Sequence, residues 1–160
     1  MKNKILLSFL VVFICSCAST APDLMQFPSG EGTMYFFPPT EWKTKGDVSF
    51  AKVDITYHSG RDIPAAVNIS FFGKKSLPRK ITSASLNGEG IVYPLSNFQT
   101  LYANRKKKEF RITTEGERKT LLNLLKAKPI TLTAEIDGVQ YTFTPDKNFI
   151  SLVDDFLILF

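Results

Sequence analysis

The sequence predicts a mainly β protein, a two-layer antiparallel β-sandwich with one short α-helix near 115–127. Three observations carry that expectation. Roughly seven or eight short runs rich in β-branched and aromatic residues follow one another, separated by Gly, Pro, Asn and Asp. One segment, around 115–127, replaces that alternation with helical spacing. Twelve of the fourteen Phe lie beyond residue 16, enough large apolar side chains to fill the space between two sheets.

The elements follow in order. Residues 33–37 are apolar and end at Pro38-Pro39. In 47–57, Val48 and Phe50 hold one parity and Val53, Ile55 and Tyr57 the other, which predicts a bulge near Ala51-Lys52. Residues 65–72 place Ala65, Val67, Ile69 and Phe71 on one face. Runs 80–86 and 90–95 flank Asn87-Gly88-Glu89 as a hairpin, and 98–103 and 109–113 pair around the basic run between them. The clearest hairpin joins 130–136 to 139–144 through Asp137-Gly138, because that dipeptide accepts the left-handed backbone of a two-residue turn. Thr114-Glu115-Gly116-Glu117 matches a capping box, Leu121, Leu122, Leu124 and Leu125 form the stripe behind it, and Pro129 stops the helix. Residues 149–160 fit either a helical stripe through Phe149, Leu152, Val153 and Phe156 or a buried terminal strand. A terminal Phe after alternating apolar residues resembles the closing strand of outer-membrane barrels, but ten-residue segments of apolar-out, polar-in alternation are missing. An arrangement of the immunoglobulin-like type or similar satisfies this pattern.

The N-terminus carries an address. Lys2 and Lys4 precede the uncharged apolar run Ile5–Ile14, too short for a bilayer, which needs about 20 residues. Ile14-Cys15-Ser16-Cys17 then resembles the lipobox of bacterial lipoproteins: an aliphatic residue, a variable one, a small one, then Cys. Bulky Ile14 before Cys15 excludes that residue as the acceptor. The resemblance covers these residues alone. It implies removal of residues 1–16, a diacylglycerol on Cys17 and acylation of the new N-terminus. Two or more chains anchor stably where one does not. Ala18 and Ser19 after Cys17, in place of Asp, imply the outer membrane. An ordinary signal cut after Ala18 or Ala21, or an uncleaved anchor, is the alternative. The expected organisation is a signal peptide over 1–16, a lipidated flexible tether over 17–32 and one β domain over 33–160. Leu24, Met25 and Phe27 are the tether residues able to dock on that domain.

At 44% hydrophobic, 12% aromatic and 22% charged, the 160-residue chain is ordinary globular material. The segment beyond residue 16 retains Cys17 as its sole cysteine, which excludes a disulfide, a thiol nucleophile and a thiolate metal site. His58 is the one histidine. As a zinc ligand it would depend on carboxylates, and as a hydrolase base on Asp54, four residues away, with no glycine-flanked serine elbow to serve. A strand-ending role before Ser59-Gly60-Arg61-Asp62 is the simpler reading. Asp154 and Asp155 are adjacent and point apart, Glu115 and Glu117 suit a helix start, and Gly88 and Gly90 lack a following GK[ST]. No catalytic residue, metal site or cofactor is expected.

Three features are candidates for binding. Net charge is +5, and 18 basic against 15 acidic residues leave +3 after the signal is removed. That excess is concentrated in Arg105-Lys106-Lys107-Lys108 and in Lys74, Lys75, Arg79 and Lys80, runs suited to anionic headgroups, lipopolysaccharide phosphates or an acidic partner. The alternative is a solvated loop that discourages edge-to-edge aggregation. Trp42, in a polar stretch, suits a contact anchor or a cover for a sheet edge. Nucleic acid is not expected in an exported compartment. The sequence thus predicts a non-catalytic envelope lipoprotein binding a protein, lipid or glycan at the membrane surface. A small periplasmic or surface hydrolase or carbohydrate-active enzyme is the alternative, and two facing carboxylates about 5–10 Å apart would mark it.

Overall fold

A computed structural model describes residues 22–30, 32–60 and 62–160. In chain order the elements are β1 (Met25–Ser29), β2 (Gly32–Lys43), β3 (Val48–His58), β4 (Ala65–Gly73), β5 (Ile81–Gly88), β6 (Ile91–Asn104), β7 (Glu109–Gly116), α1 (Arg118–Lys126), β8 (Thr131–Ile136), β9 (Val139–Pro145) and α2 (Lys147–Leu157). The strands form one antiparallel sheet in the order β1-β2-β3-β4-β7-β6-β5-β8-β9, and β9 returns to pair with β2. The result is a closed eight-stranded barrel, β2 to β9, with β1 as an extra strand on the first half of β2.

The expected open sandwich is therefore wrong. Two features close it. β6 runs for 14 residues, pairs with β5 through Leu95↔Ala84 and then with β7 from Ser96↔Glu115 to Asn104↔Glu109, so one strand belongs to both walls. Trp42↔Pro145 and Lys43↔Thr144 then join β2 to β9. Strand parity dictates which side chains are buried. It carries no information on whether two walls share a strand.

Local chemistry explains most elements. Asp137 and Gly138 sit at φ 51° and 81°, the left-handed pair of a two-residue hairpin loop between β8 and β9. The β5–β6 turn is Glu89-Gly90, one residue beyond the expected position, with Gly90 at φ 69°. Other details differ from expectation. Pro38-Pro39 do not end the first strand. β2 continues through them because the register shifts between Phe37 and Thr40, a bulge that tolerates residues without N–H donors. The irregularity of β3 lies between Val48 and Phe50, not at Ala51-Lys52. The helix cap is Glu117 itself, whose carboxylate accepts from the N–H groups of Lys119 and Thr120, while the Thr114 hydroxyl donates to Ser96 O. In the segment expected to be a tether, residues 25–29 are a strand annealed to β2, and Leu24 packs against the core.

Interior positions are filled by side chains, as in small barrels generally. Phe37, Trp42, Ile55, Ile69, Phe71, Ile112, Leu132 and Phe143 are all buried. The C-terminal segment resolves as helix α2, capped by Asp146. It lies along the inner face of β2 with Phe149 4.7 Å from Trp42 and Phe156 5.1 Å from Phe37 and from Tyr57. Its buried Phe149, Leu152, Val153 and Phe156 each contribute about 1.5–3 kcal/mol of burial. α1 closes the end of the barrel where β3 finishes. Arg118 Nη1 donates to the carbonyls of His58 (2.8 Å) and Ser59 (2.7 Å), and Ala127 O accepts from Glu89 N across that end. Outward wall positions such as Asn68, Arg111, Thr113 and Glu115 are polar. The wall also exposes apolar residues, among them Val92, Leu101 and Tyr102 of β6 and Val139 of β9.

Candidate functional site

The opposite end of the barrel is built from four loops, 44–47, 74–80, 105–108 and 137–138, and the backbone ties them together. Lys74 N donates to Asp47 O (2.8 Å), Gly73 N to Lys108 O (3.0 Å), and Asp137 N to Lys80 O (2.9 Å). The Asp137 carboxylate accepts from Arg79 N (3.2 Å) and Lys80 N (3.0 Å), so its charge fixes loop backbone. Within the β6–β7 loop, Asn104 Oδ1 accepts from Lys107 N (3.1 Å) and Lys108 takes φ 53°. This reverses the chain in four residues. Leu77 and the buried Pro78 pin the 74–80 loop to the barrel.

The two basic runs, some 30 positions apart in sequence, meet here. Lys75, Ser76, Leu77, Arg79, Arg105 and Lys108 line an open cleft of about 730 Å³, with no carboxylate among them. Lys108 Nζ crosses between the runs to Lys74 O at 2.7 Å. Lys74, Lys106 and Lys107 stand exposed beside the cleft. Counting Lys43 with the four loops, this rim carries ten basic residues against Asp47 and Asp137. Among the described residues, the loops of the opposite end, 59–60, 62–64, 89–90, 117–130 and 146, carry four of each sign, and α2 adds Lys147, Asp154 and Asp155. The barrel is thus polarised along its axis. A rim of exposed Lys and Arg with few acids can hold phosphate or carboxylate groups by charge and by many N–H donors.

Trp42 is not part of this surface. It is fully buried, its Nε1 donates to Thr40 Oγ1 (3.3 Å), and its ring packs edge-on to Phe149. Cys17 lies outside the described residues. His58 ends β3, and its carbonyl serves Arg118. Asp54, the carboxylate nearest to it along β3, is directed elsewhere.

Sequence reading missed a polar network on the outer wall. Asp54 is buried and bonds Arg111 Nη2 (2.6 Å) and Asn68 Nδ2 (2.6 Å), while Arg111 Nη1 donates to Ser70 Oγ (2.9 Å). One residue row nearer the rim, the buried Glu109 accepts from Tyr102 Oη (2.5 Å). That hydrogen bond, helped by burial, raises the Tyr102 phenol above its usual range. The network cross-links β3, β4, β7 and β6 beneath the basic loops. Its only sequence signal is the alternation of Glu109, Arg111 and Thr113, which puts them on one face without naming their partners. At the far end, burial pushes the Tyr93 phenol up to about 12. Hydrogen bonds from Thr120 and Lys119 hold the Glu117 carboxyl below its usual range.

Among the described residues, no group of three or more His, Cys, Asp or Glu is placed to hold a metal ion. Among the same residues, no helix is long and apolar enough to cross a membrane. Compared with known protein families, curated proteins and solved structures, the chain finds no match.

Proposed function

We propose that this protein is a non-catalytic lipoprotein of the bacterial cell envelope, anchored by lipid on Cys17 at the outer membrane. In this reading its barrel binds phosphate-bearing lipid or glycan at the membrane surface through the basic rim. The observation that carries it is the convergence of Lys75 and Arg79 with Arg105 and Lys108 in one cleft lacking carboxylates, closed by Lys108 Nζ on Lys74 O. The packed interior supports it too, since Phe37, Phe71 and Phe143 occupy the space a barrel would offer a ligand. Each Lys or Arg near an anionic surface contributes on the order of 1 kcal/mol, screened over about 8–10 Å at physiological salt.

One preparation tests both halves. The full chain is extracted from membranes and its intact mass measured. Loss of residues 1–16 with added acyl mass is expected, and Cys17→Ala should leave an uncut, unlipidated precursor. A normally processed variant would remove the anchor from the reading. The lipidated chain in neutral detergent is then titrated with inorganic polyphosphate. Replacing Lys106, Lys107 and Lys108 together by Glu should weaken binding about tenfold or more, as should high salt. Equal affinity of the two chains would sink the rim.

A further inference from the structure

We infer that the barrel stands on its own membrane with the basic rim facing the leaflet that holds its lipid, so that the anchor and the rim engage one surface. This rests on lipidation of Cys17 and on anion binding by the rim, and adds the orientation that neither of those fixes.

The direction of β1 supplies the argument. β2 runs toward the rim, from Gly32 to Lys43, and β1 is antiparallel to it, with Met25 opposite Phe36 and Ser29 opposite Gly32. The chain upstream of Met25 therefore leaves the wall heading toward the basic end. From Phe36 to Lys43 is seven residues, about 23 Å along the strand and about 17 Å along the axis at the usual barrel tilt. Cys17 and Met25 are eight Cα–Cα steps apart, which span at most about 26–29 Å. The anchor thus reaches the plane of the rim with length to spare, in the direction the strand already takes. To bring the opposite end to the membrane, the same stretch would have to reverse and run back past β1 and the depth of α1, a helix layer about 10 Å thick. Length permits that path too, and what favours the rim is the direction in which β1 leaves the wall.

Charge acts in the same sense. An anionic leaflet attracts the end with ten basic and two acidic residues over the end whose loops are balanced. Tethering keeps that end within reach of the surface continuously, so weak individual contacts act at high effective concentration.

The test uses the full lipidated chain in vesicles of phosphatidylglycerol and phosphatidylcholine with a nitroxide on a fraction of the headgroups. Once Cys17 carries lipid its sulfur is blocked, so single-cysteine reporters label uniquely. Ser76→Cys marks the rim and Glu89→Cys the opposite end; both positions are exposed. The fluorophore at Ser76→Cys should be quenched several-fold more than that at Glu89→Cys. Combining Lys106→Glu, Lys107→Glu and Lys108→Glu should shrink the difference. Equal quenching, as for a barrel lying on Met25 and Phe27 (45% and 44% exposed), would overturn the orientation. So would quenching of the Ser76→Cys reporter only by nitroxide in a second, protein-free vesicle population, although anion binding by the rim would then stand. Intact mass of the same preparation separates both from a failure of the anchor: without lipid on Cys17 the orientation falls along with the reading beneath it.

Discussion

Asp54 and Arg111 show what one pair of charges does on a barrel wall. Asp54 is 2% exposed, and its carboxylate is satisfied by Arg111 and Asn68. Removing one partner of a buried pair leaves a desolvated charge behind, which costs more than the pair itself contributes. Arg111→Leu should therefore destabilise the fold by about 3–5 kcal/mol in chemical denaturation. The double variant Asp54→Leu/Arg111→Leu should recover most of that loss. A single variant within about 1 kcal/mol of the parent would mean that water reaches Asp54. Because this network lies just below the rim, it also fixes the base of the β6–β7 hairpin that presents Arg105 to Lys108.

At the scale of elements, α2 matters most to packing. Its residues fit two periodicities in the sequence, and the helical one prevails because Asp146 caps the first turn and β2 offers an aromatic inner face. Phe156 meets the rings of Tyr35, Phe37 and Tyr57 at 5.3, 5.1 and 5.1 Å. Phe156→Ala should cost about 3–5 kcal/mol, as large-to-small changes in sealed cores do. Ile158→Ala, two residues on and 82% exposed, should stay within about 0.5 kcal/mol. Thermal melts of both variants check the contrast, and similar values would show that the helix does not seat as described. The β1 strand carries the opposite lesson. Its sequence, Met-Gln-Phe-Pro-Ser, lacks strong alternation and contains a proline, so it reads as tether, and only the free edge of β2 makes it a strand.

For the whole molecule, closure depends on a thin seam. β3 and β4 share eight paired positions, whereas β2 and β9 share two. Few seam hydrogen bonds mean a low cost of local opening, although Trp42 packed on Phe149 holds the seam from inside. Native-state hydrogen exchange should therefore show faster exchange at Lys43 and Thr144 than at Val53 and Ile69 on the β3–β4 ladder. Equal protection would mean that the barrel opens only by global unfolding. Axial polarity is likewise a property of the whole molecule. No single loop carries it, and the even balance of the α1 end is as necessary to it as the ten cations of the rim.

The sequence alone determined the burial parity of β4, β8 and β9, the Asp137-Gly138 hairpin, the existence of α1 and its leucine stripe, and the two basic runs. All of these follow from interactions within a few residues, where pleat, turn and helix period act directly. Tertiary structure decided what depends on partners distant along the chain. Sharing β6 between two walls made a barrel of an expected sandwich. A bulge let Pro38-Pro39 stay in a strand, and the same strand took Trp42 from a polar stretch into the core. The two basic runs became one cleft only because antiparallel connection places the 74–80 and 105–108 loops at the same end of neighbouring strands. That adjacency is set by which strand edges find each other, and strand pairing leaves almost no trace in local composition.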